Sequence, residues 1–154
     1  MLLIANGTII NPKTEQMEQL DVLVKEERII EIGKNLVEKE NVEVIDAKGY
    51  FVAPGFIDLH VHLREPGFEY KETIFTGSRA CAKGGYTSVV CMPNTKPALD
   101  SAETIETLKK IIERDSVISI YPAGAITFGI AGEVMSNHAD RKSTRLNSSH
   151  GIIW

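Results

Sequence analysis

The chain has 154 residues, of which 43% are apolar and 25% charged, and its formal net charge is −4. This composition is typical of a folded globular protein and excludes a disordered chain, a collagen and a long coiled coil. A mildly acidic chain without a basic patch is also unsuited to binding nucleic acid. The sequence has no apolar run near the roughly 18–20 residues of a membrane span and no secretory leader pattern. We therefore expect a cytoplasmic protein in which the only two cysteines, Cys81 and Cys91, pack in the core.

The first part of the chain, residues 1–53, is predicted to form a small β domain, either a meander or a sandwich. Short apolar segments at 2–5 and 8–10 flank Asn6-Gly7, a dipeptide typical of a hairpin turn because both positions tolerate positive φ. Further strands are predicted at residues 20–24, 28–32, 42–45 and 50–53.

After Pro54-Gly55 the pattern changes to apolar strands that alternate with amphipathic helices. Strands are predicted at 56–62, 86–91 and 117–123, and the first helix at 72–83. A second helix is predicted to begin at a capping box of Asp100 and Glu103. Its apolar face consists of Ala102, Ile105, Leu108, Ile111 and Ile112. This order predicts an α/β fold of parallel βα units, too few to close a (β/α)₈ barrel, which needs roughly 250 residues.

Two histidines, His60 and His62, end the first of these strands. Side chains alternate along a strand, so residues two apart project to the same side, and Asp58 precedes the pair at the same spacing. Two imidazoles arranged in this way can bind one divalent ion, for which zinc is the best match. A pair of histidines that serve only the structure of the strand is the alternative. The position at the carboxyl end of a barrel-like strand favours the metal site.

Two further polar residues follow the predicted strand ends. Arg64 comes two residues after His62, where a guanidinium can hold a carboxylate through two parallel hydrogen bonds. Asn94 lies in a loop that prolines restrict, and its amide offers both a donor and an acceptor. An ordinary surface arginine near Glu65 and a turn asparagine are the alternatives.

Together these motifs resemble the dihydroorotase family of the amidohydrolase superfamily, in the bacterial form called class I. The resemblance is carried by PGFIDLHVHLREPG (Pro54 to Gly67) and KETIFTGSRACAKGGYTSVVCMPNTKP (Lys71 to Pro97), and it extends over about residues 2–135. A His-x-His pair followed by Leu-Arg-Glu-Pro-Gly, together with a Met-Pro-Asn-Thr loop, separates this family from hydantoinases and dihydropyrimidinases. Allantoinases are nearer but tend to differ in that loop.

The resemblance implies the N-terminal part of a metal-dependent-hydrolase (β/α)₈ barrel, with its first units at 54–139, behind a small β domain. It implies a zinc enzyme with one or two ions that interconverts N-carbamoyl-L-aspartate and L-dihydroorotate in pyrimidine biosynthesis. By the same resemblance His60 and His62 are zinc ligands, Arg64 and Asn94 hold the substrate carboxylate, and His62 also contacts the substrate. The remaining ligands and a proton-transfer aspartate are expected beyond residue 139. We therefore expect the 154-residue chain alone to be inactive.

Two other functions stay open at this point. One is another cyclic amide hydrolase, such as an allantoinase or a dihydropyrimidinase, whose substrate without a carboxylate leaves Arg64 unexplained. The other is a non-catalytic dihydroorotase homologue that acts as a partner subunit, and the intact histidine pair counts against it. The expected partner is the small-molecule substrate, with no nucleic acid and no membrane. The parent protein is expected to be a homodimer or to associate with aspartate carbamoyltransferase.

The last fifteen residues, Asp140 to Trp154, differ in composition from the rest of the chain. They contain three basic residues and one acidic residue, and the run DRKSTRLNSSH resembles the translation of a common sequencing-library adapter. A polar, flexible terminus is the alternative. We predict that residues 140–154 are a non-native tail and give His150 no functional weight.

Sequencing of the source DNA across codon 139 tests this prediction. We expect the reading frame to continue into further barrel strands with histidines and aspartates at their ends. A gene that encodes Asp140 to Trp154 and then stops would contradict the prediction and would favour a truncated, inactive remnant.

Overall fold

The computed structural model describes residues 1–36 and 42–136, together with the backbone of Arg145–Leu146. Two compact units are present, Met1–Pro54 and Gly55–Trp154. No helix in the described part of the chain combines the length and the apolar character that crossing a membrane requires. The predicted non-native tail at 140–154, including His150, lies outside the described residues apart from that one backbone pair.

The first unit is a five-stranded mixed sheet. Its strands are β1 (Leu2–Asn11), β2 (Gln16–Lys25), β3 (Arg28–Gly33), β4 (Glu43–Asp46) and β5 (Phe51–Val52). Strand β2 lies antiparallel between β1 and β3, whereas β4 and β5 both pair parallel with β1. Glu26 and Glu27 join β2 to β3, and both have positive φ, as a two-residue hairpin turn that follows the strand twist requires.

The predicted hairpin at Asn6-Gly7 is wrong, because β1 runs through both residues without reversing. Asn6 has a φ of 62°, but a register shift between Ile4 and Gly7 identifies a β-bulge. The Asn6 backbone amide donates a hydrogen bond of 2.8 Å to Asp21 on β2, and its side-chain amide donates one of 3.0 Å to Asp46 on β4. These bonds attach the bulge in β1 to the strands on both sides of it, β2 and β4. Contacts with residues distant in sequence, and not the Asn6-Gly7 pair itself, therefore determine that the chain continues as a strand here.

The second unit is a parallel sheet with two helices in its connections. The elements are β6 (Phe56–Val61), α1 (Ile74–Lys83), β7 (Tyr86–Cys91), α2 (Ala102–Asp115), β8 (Ser119–Gly124) and β9 (Arg145–Leu146). The strand order is β6-β7-β8-β9, and every pair is parallel. The predicted α/β class with parallel βα units is confirmed, and the described residues do not form a closed barrel.

The core of the second unit lies between its sheet and its helices. Its main cluster of buried residues consists of Leu63, Ile74, Val89, Cys91, Leu99, Ile105, Leu108 and Ile120, with Cys81, Ile111 and Ile112 packed against them. Four of the five residues predicted for the apolar face of α2 contribute to this core, and Ala102 is exposed. Both cysteines pack as expected.

Strand β6 forms one edge of the second sheet and carries exposed apolar side chains. Phe56, Ile57 and Leu59 are 59%, 66% and 58% exposed. Only β7 pairs with this strand among the described residues.

The predicted cap of α2 at Asp100 is displaced by one residue. Ser101 is the N-cap, and its hydroxyl accepts a 3.2 Å hydrogen bond from the Thr104 amide while the Thr104 hydroxyl bonds back to the Ser101 amide. The Asp100 carboxylate instead accepts a 2.7 Å hydrogen bond from Gly129, in the 3₁₀ turn Phe128–Ile130. The Asp100 carboxylate is thus engaged by the loop that contains Gly129, and the hydroxyl of the next residue, Ser101, caps the helix.

Replacement of Asp21 by alanine is expected to lower the free energy of unfolding by about 2 kcal/mol. Asp21 is 8% exposed, and its two carboxylate oxygens accept backbone hydrogen bonds from Asn6 at 2.8 Å and Leu36 at 2.9 Å. The variant leaves both amides without their acceptor. Urea denaturation followed by circular dichroism measures the change.

Two variants control this experiment. Asp21→Asn keeps one acceptor oxygen and is expected to lose about half as much stability. Glu18→Ala removes an exposed carboxylate from the same strand and is expected to change stability by less than about 0.5 kcal/mol. Unaltered stability of Asp21→Ala would show that the bulge does not depend on this carboxylate.

Candidate functional site

The two predicted metal ligands are neighbours at the carboxyl end of β6. His60 is the penultimate residue of the strand, and His62 is the first residue after it. Their ring centroids are 5.2 Å apart, and the ring planes meet at 69°. This proximity is what binding of one ion by both imidazoles requires.

A β-bulge shapes this end of the strand. Asp58 pairs with Val89 and Val61 pairs with Cys91, so β6 uses one residue more than β7 over this interval. The Asp58 carboxylate accepts a 2.9 Å hydrogen bond from the His60 backbone amide. Bulges of this kind redirect side chains beside functional sites. The period-two relation of Asp58 to the histidines is therefore broken, and Asp58 stabilises the bulge.

His62 and Asn94 are in direct contact. The Nδ1 atom of His62 lies 2.8 Å from the Oδ1 atom of Asn94, which is in the loop that follows β7. Because an amide oxygen accepts hydrogen bonds and does not donate them, Nδ1 of His62 is the donor in this contact. A hydrogen bond of this type orients metal-ligating histidines in many proteins. Sequence reasoning named both residues but not their contact.

Arg64 lies three residues beyond β6 and is partly buried, with a φ of 67°. Its guanidinium makes no hydrogen bond or ion pair with residues 1–36 or 42–136. The neighbouring Glu65 carboxylate accepts a 2.7 Å hydrogen bond from the Ile74 backbone amide. Asn94 is therefore in hydrogen-bond contact with His62, whereas no hydrogen bond among the described residues joins Asn94 to Arg64. Glu65, which sequence reasoning treated only as a neighbour of Arg64, has a distinct contact. The sequence signal that could have indicated this contact with Ile74 was an acidic residue shortly before a predicted helix.

The donor set fits part of a zinc site. Imidazole nitrogens are suitable zinc ligands, and a catalytic zinc has three protein ligands. Over residues 1–36 and 42–136, no group of three or more histidine, cysteine, aspartate or glutamate side chains is arranged to hold a metal ion. His60 and His62 thus account for two ligands, and a complete site needs at least one more.

The two cysteines are unsuited to metal binding. Cys91 ends β7 and is 3% exposed, and burial raises the pKa of its thiol to about 12. Burial also raises the pKa of Cys81, with a smaller effect from the carboxylates of Glu72 and Asp58. Because the thiolate is the form that binds metals, both side chains remain core residues.

The sequence of the chain matches that of known dihydroorotases. Residues 49–148 match the family described as "Dihydro-orotase-like". The dihydroorotases of Pelotomaculum thermopropionicum and Geobacter sulfurreducens are 47% and 45% identical to it over 141 residues, which is 92% of this chain and 33% of each relative. The chain therefore spans about one third of the length of the curated relatives that it matches.

Solved structures share the fold. The L-hydantoinase (dihydropyrimidinase) from Arthrobacter aurescens superposes with a TM-score of 0.75 at 24% identity, covering 82% of this chain and 28% of that one. The D-hydantoinase (dihydropyrimidinase) from a Thermus species gives a TM-score of 0.71 at 35% identity with the same coverage. At 24% identity, the likeness to the Arthrobacter aurescens enzyme concerns the fold alone.

The thiol of Cys91 is expected to resist modification in the folded chain. At pH 8 a disulfide reagent should label Cys91 at least about 100-fold more slowly in the native state than in urea, because the thiol is buried and protonated. The variant Cys81→Ser isolates this reaction. The free energy of unfolding should also fall from about pH 8.5 upward, since the unfolded thiol loses its proton there while the folded one retains it up to about pH 12. Rapid native-state labelling, or the same pH dependence in Cys91→Ala, would contradict this prediction.

Proposed function

The chain belongs to the dihydro-orotase-like family, and from this premise we propose that it is part of a zinc-dependent dihydroorotase. Such an enzyme interconverts N-carbamoyl-L-aspartate and L-dihydroorotate in pyrimidine biosynthesis. The observation that carries the proposal is the contact between His62 and Asn94, beside His60, at the carboxyl ends of two adjacent parallel strands. Active sites of (β/α)₈ barrels lie at this end of the strands, and β6 to β8 would be the first strands of such a barrel.

Two side chains of this chain would hold the metal. His60 and His62 would each offer one imidazole nitrogen, and with Nδ1 of His62 donating to Asn94, its Nε2 would be the nitrogen that faces the metal. When bound, zinc supplies Lewis-acid polarisation of the amide carbonyl and lowers the pKa of water enough for nucleophilic attack at neutral pH. The remaining ligands and the proton-transfer group would come from the part of the relatives' length that this chain does not span.

Arg64 and Asn94 would bind the substrate carboxylate. The guanidinium of Arg64 can pair with a carboxylate through two parallel hydrogen bonds. The amide of Asn94 has an acceptor and two donors, so its oxygen can accept from His62 while its nitrogen donates to the substrate. The same side chain would thus orient a metal ligand and contact the substrate. A ring without a carboxylate leaves the Arg64 guanidinium without its partner.

The likeness to D-hydantoinases supports a second candidate, a hydrolase of hydantoin or dihydropyrimidine rings. The two candidates share the histidine pair and differ in what Arg64 binds. Substrate preference therefore distinguishes them.

A chimera tests the proposed function. Residues 1–136 replace the aligned third of the Pelotomaculum dihydroorotase, and the purified protein is loaded with zinc. We expect it to hydrolyse dihydroorotate, whereas the 154-residue chain alone does not. His60→Ala should lower kcat/KM by about 1,000-fold or more, because it removes a metal ligand. Arg64→Ala should raise KM for dihydroorotate by about 100-fold, with a smaller change in kcat, because it removes the pairing with the carboxylate.

Arg114→Ala is the matched control. Arg114 is an exposed arginine at the end of α2 whose guanidinium pairs with Asp115 at 2.7 Å, so its removal should leave KM within about twofold. A chimera that prefers dihydrouracil to dihydroorotate would favour the second candidate. An unaltered KM in Arg64→Ala would contradict the assignment of Arg64.

A further inference from the structure

Arg64 has a backbone conformation that its neighbours must maintain. Its φ of 67° lies in the left-handed region, which residues with a side chain seldom adopt. Such a conformation persists only where surrounding contacts determine it. The turn that contains Arg64 directly follows His62, so its geometry determines where the guanidinium lies relative to the histidine pair.

The residue after Arg64 is anchored to helix α1. The Glu65 carboxylate accepts a 2.7 Å hydrogen bond from the amide of Ile74, the first residue of the helix. The N-cap Thr73 accepts a hydrogen bond from the amide of Thr76, so Glu65 satisfies a different one of the amides that a helix start leaves open. A carboxylate is also favoured near the positive end of the helix dipole. Ile74 is fully buried, so its amide has no access to water in place of Glu65.

The residue before Arg64 is anchored to the same helix. Leu63 is 4% exposed and belongs to the core cluster that contains Ile74. A Cβ at Gly77 of α1 would lie 2.7 Å from Cδ2 of Leu63, so the helix approaches this side chain as closely as only glycine allows. Helix α1 therefore holds Arg64 on both sides, by packing at Leu63 and by the hydrogen bond at Glu65.

The same turn is joined to the loop that carries Asn94. The carbonyl of Pro66 accepts a 2.9 Å hydrogen bond from the amide of Lys96. Gly67 lies directly against the backbone of Lys96, where a Cβ would overlap the Lys96 carbonyl oxygen. Anchoring the turn to α1 thus also anchors it relative to Asn94.

From these contacts we propose that Glu65 is a positioning residue, which fixes the Arg64 turn so that the guanidinium meets the substrate carboxylate. This role rests on the proposed function, because it assigns to Glu65 the preorganisation of the carboxylate subsite. Glu65 acts through Arg64 and makes no contact with the substrate.

The test has two measurements. In the 154-residue chain, amide hydrogen exchange followed by NMR reports the anchor directly. Glu65→Ala should accelerate exchange of the Ile74 amide by about tenfold or more, and leave the Leu108 amide in α2 unchanged. In the zinc-loaded chimera, Glu65→Ala should raise KM for dihydroorotate by about tenfold with kcat within about threefold, because a misplaced guanidinium binds the carboxylate less well.

Two variants complete the design. Glu65→Gln keeps an oxygen that accepts from Ile74 and should restore KM to within about twofold of the unsubstituted chimera. Glu103→Ala removes the exposed acidic residue in the first turn of α2, a matched helix-start carboxylate, and should leave KM unchanged.

The outcomes separate this inference from the proposed function. An unsubstituted chimera without dihydroorotate hydrolysis would overturn the proposed function, while slow Ile74 exchange in Glu65→Ala would overturn the anchor whatever the activity. An active chimera in which Glu65→Ala lowers the melting temperature but leaves KM unaltered would reduce Glu65 to a structural role and overturn the inference. A raised KM that Glu65→Gln restores supports it.

Discussion

The parallel pairing of β6 with β7 is the constraint on which the candidate site depends. Parallel strands end at the same edge of a sheet, so the loops after β6 and β7 meet there although 32 residues separate His62 from Asn94. Helix α1 forms the connection between the two strands. That helix connects the two strands and also anchors the loop after β6, because the amide of its first residue, Ile74, donates a hydrogen bond to Glu65 in that loop. The geometry of the candidate site therefore depends both on the pairing of these strands and on the packing of α1.

The sequence predicted the elements of the second unit well, because burial leaves a clear pattern. Strands that are apolar on both faces and helices with one apolar face can be read without knowledge of their partners. The boundaries were less accurate where several polar groups compete for one role. Asp100 and Ser101 both suit a helix cap, and only the position of Gly129 decides between them. The Asn6-Gly7 signal was correct about the positive φ of Asn6, but Gly7 has no positive φ and the chain does not reverse there. Hydrogen bonds to Asp21 on β2 and to Asp46 on β4 hold the strand on either side.

The candidate site was predictable residue by residue but not as an arrangement. A histidine pair at a strand end and the polar residues after it are local patterns, so His60, His62, Arg64 and Asn94 could be named from the sequence. The bulge that separates Asp58 from the histidines arises from pairing with β7, which no local pattern records. The anchor at Glu65 depends on the exact first residue of α1, and the prediction placed that start two residues early.

The edge of β6 that no strand of the described residues covers has a consequence for the chain in solution. A strand edge with unpaired backbone groups is a template for another strand, and natural proteins protect such edges with charge, cover or short length. Here Phe56, Ile57 and Leu59 leave an apolar surface beside that edge. We therefore expect the isolated chain to self-associate as its concentration rises, through pairing of this edge with a second copy.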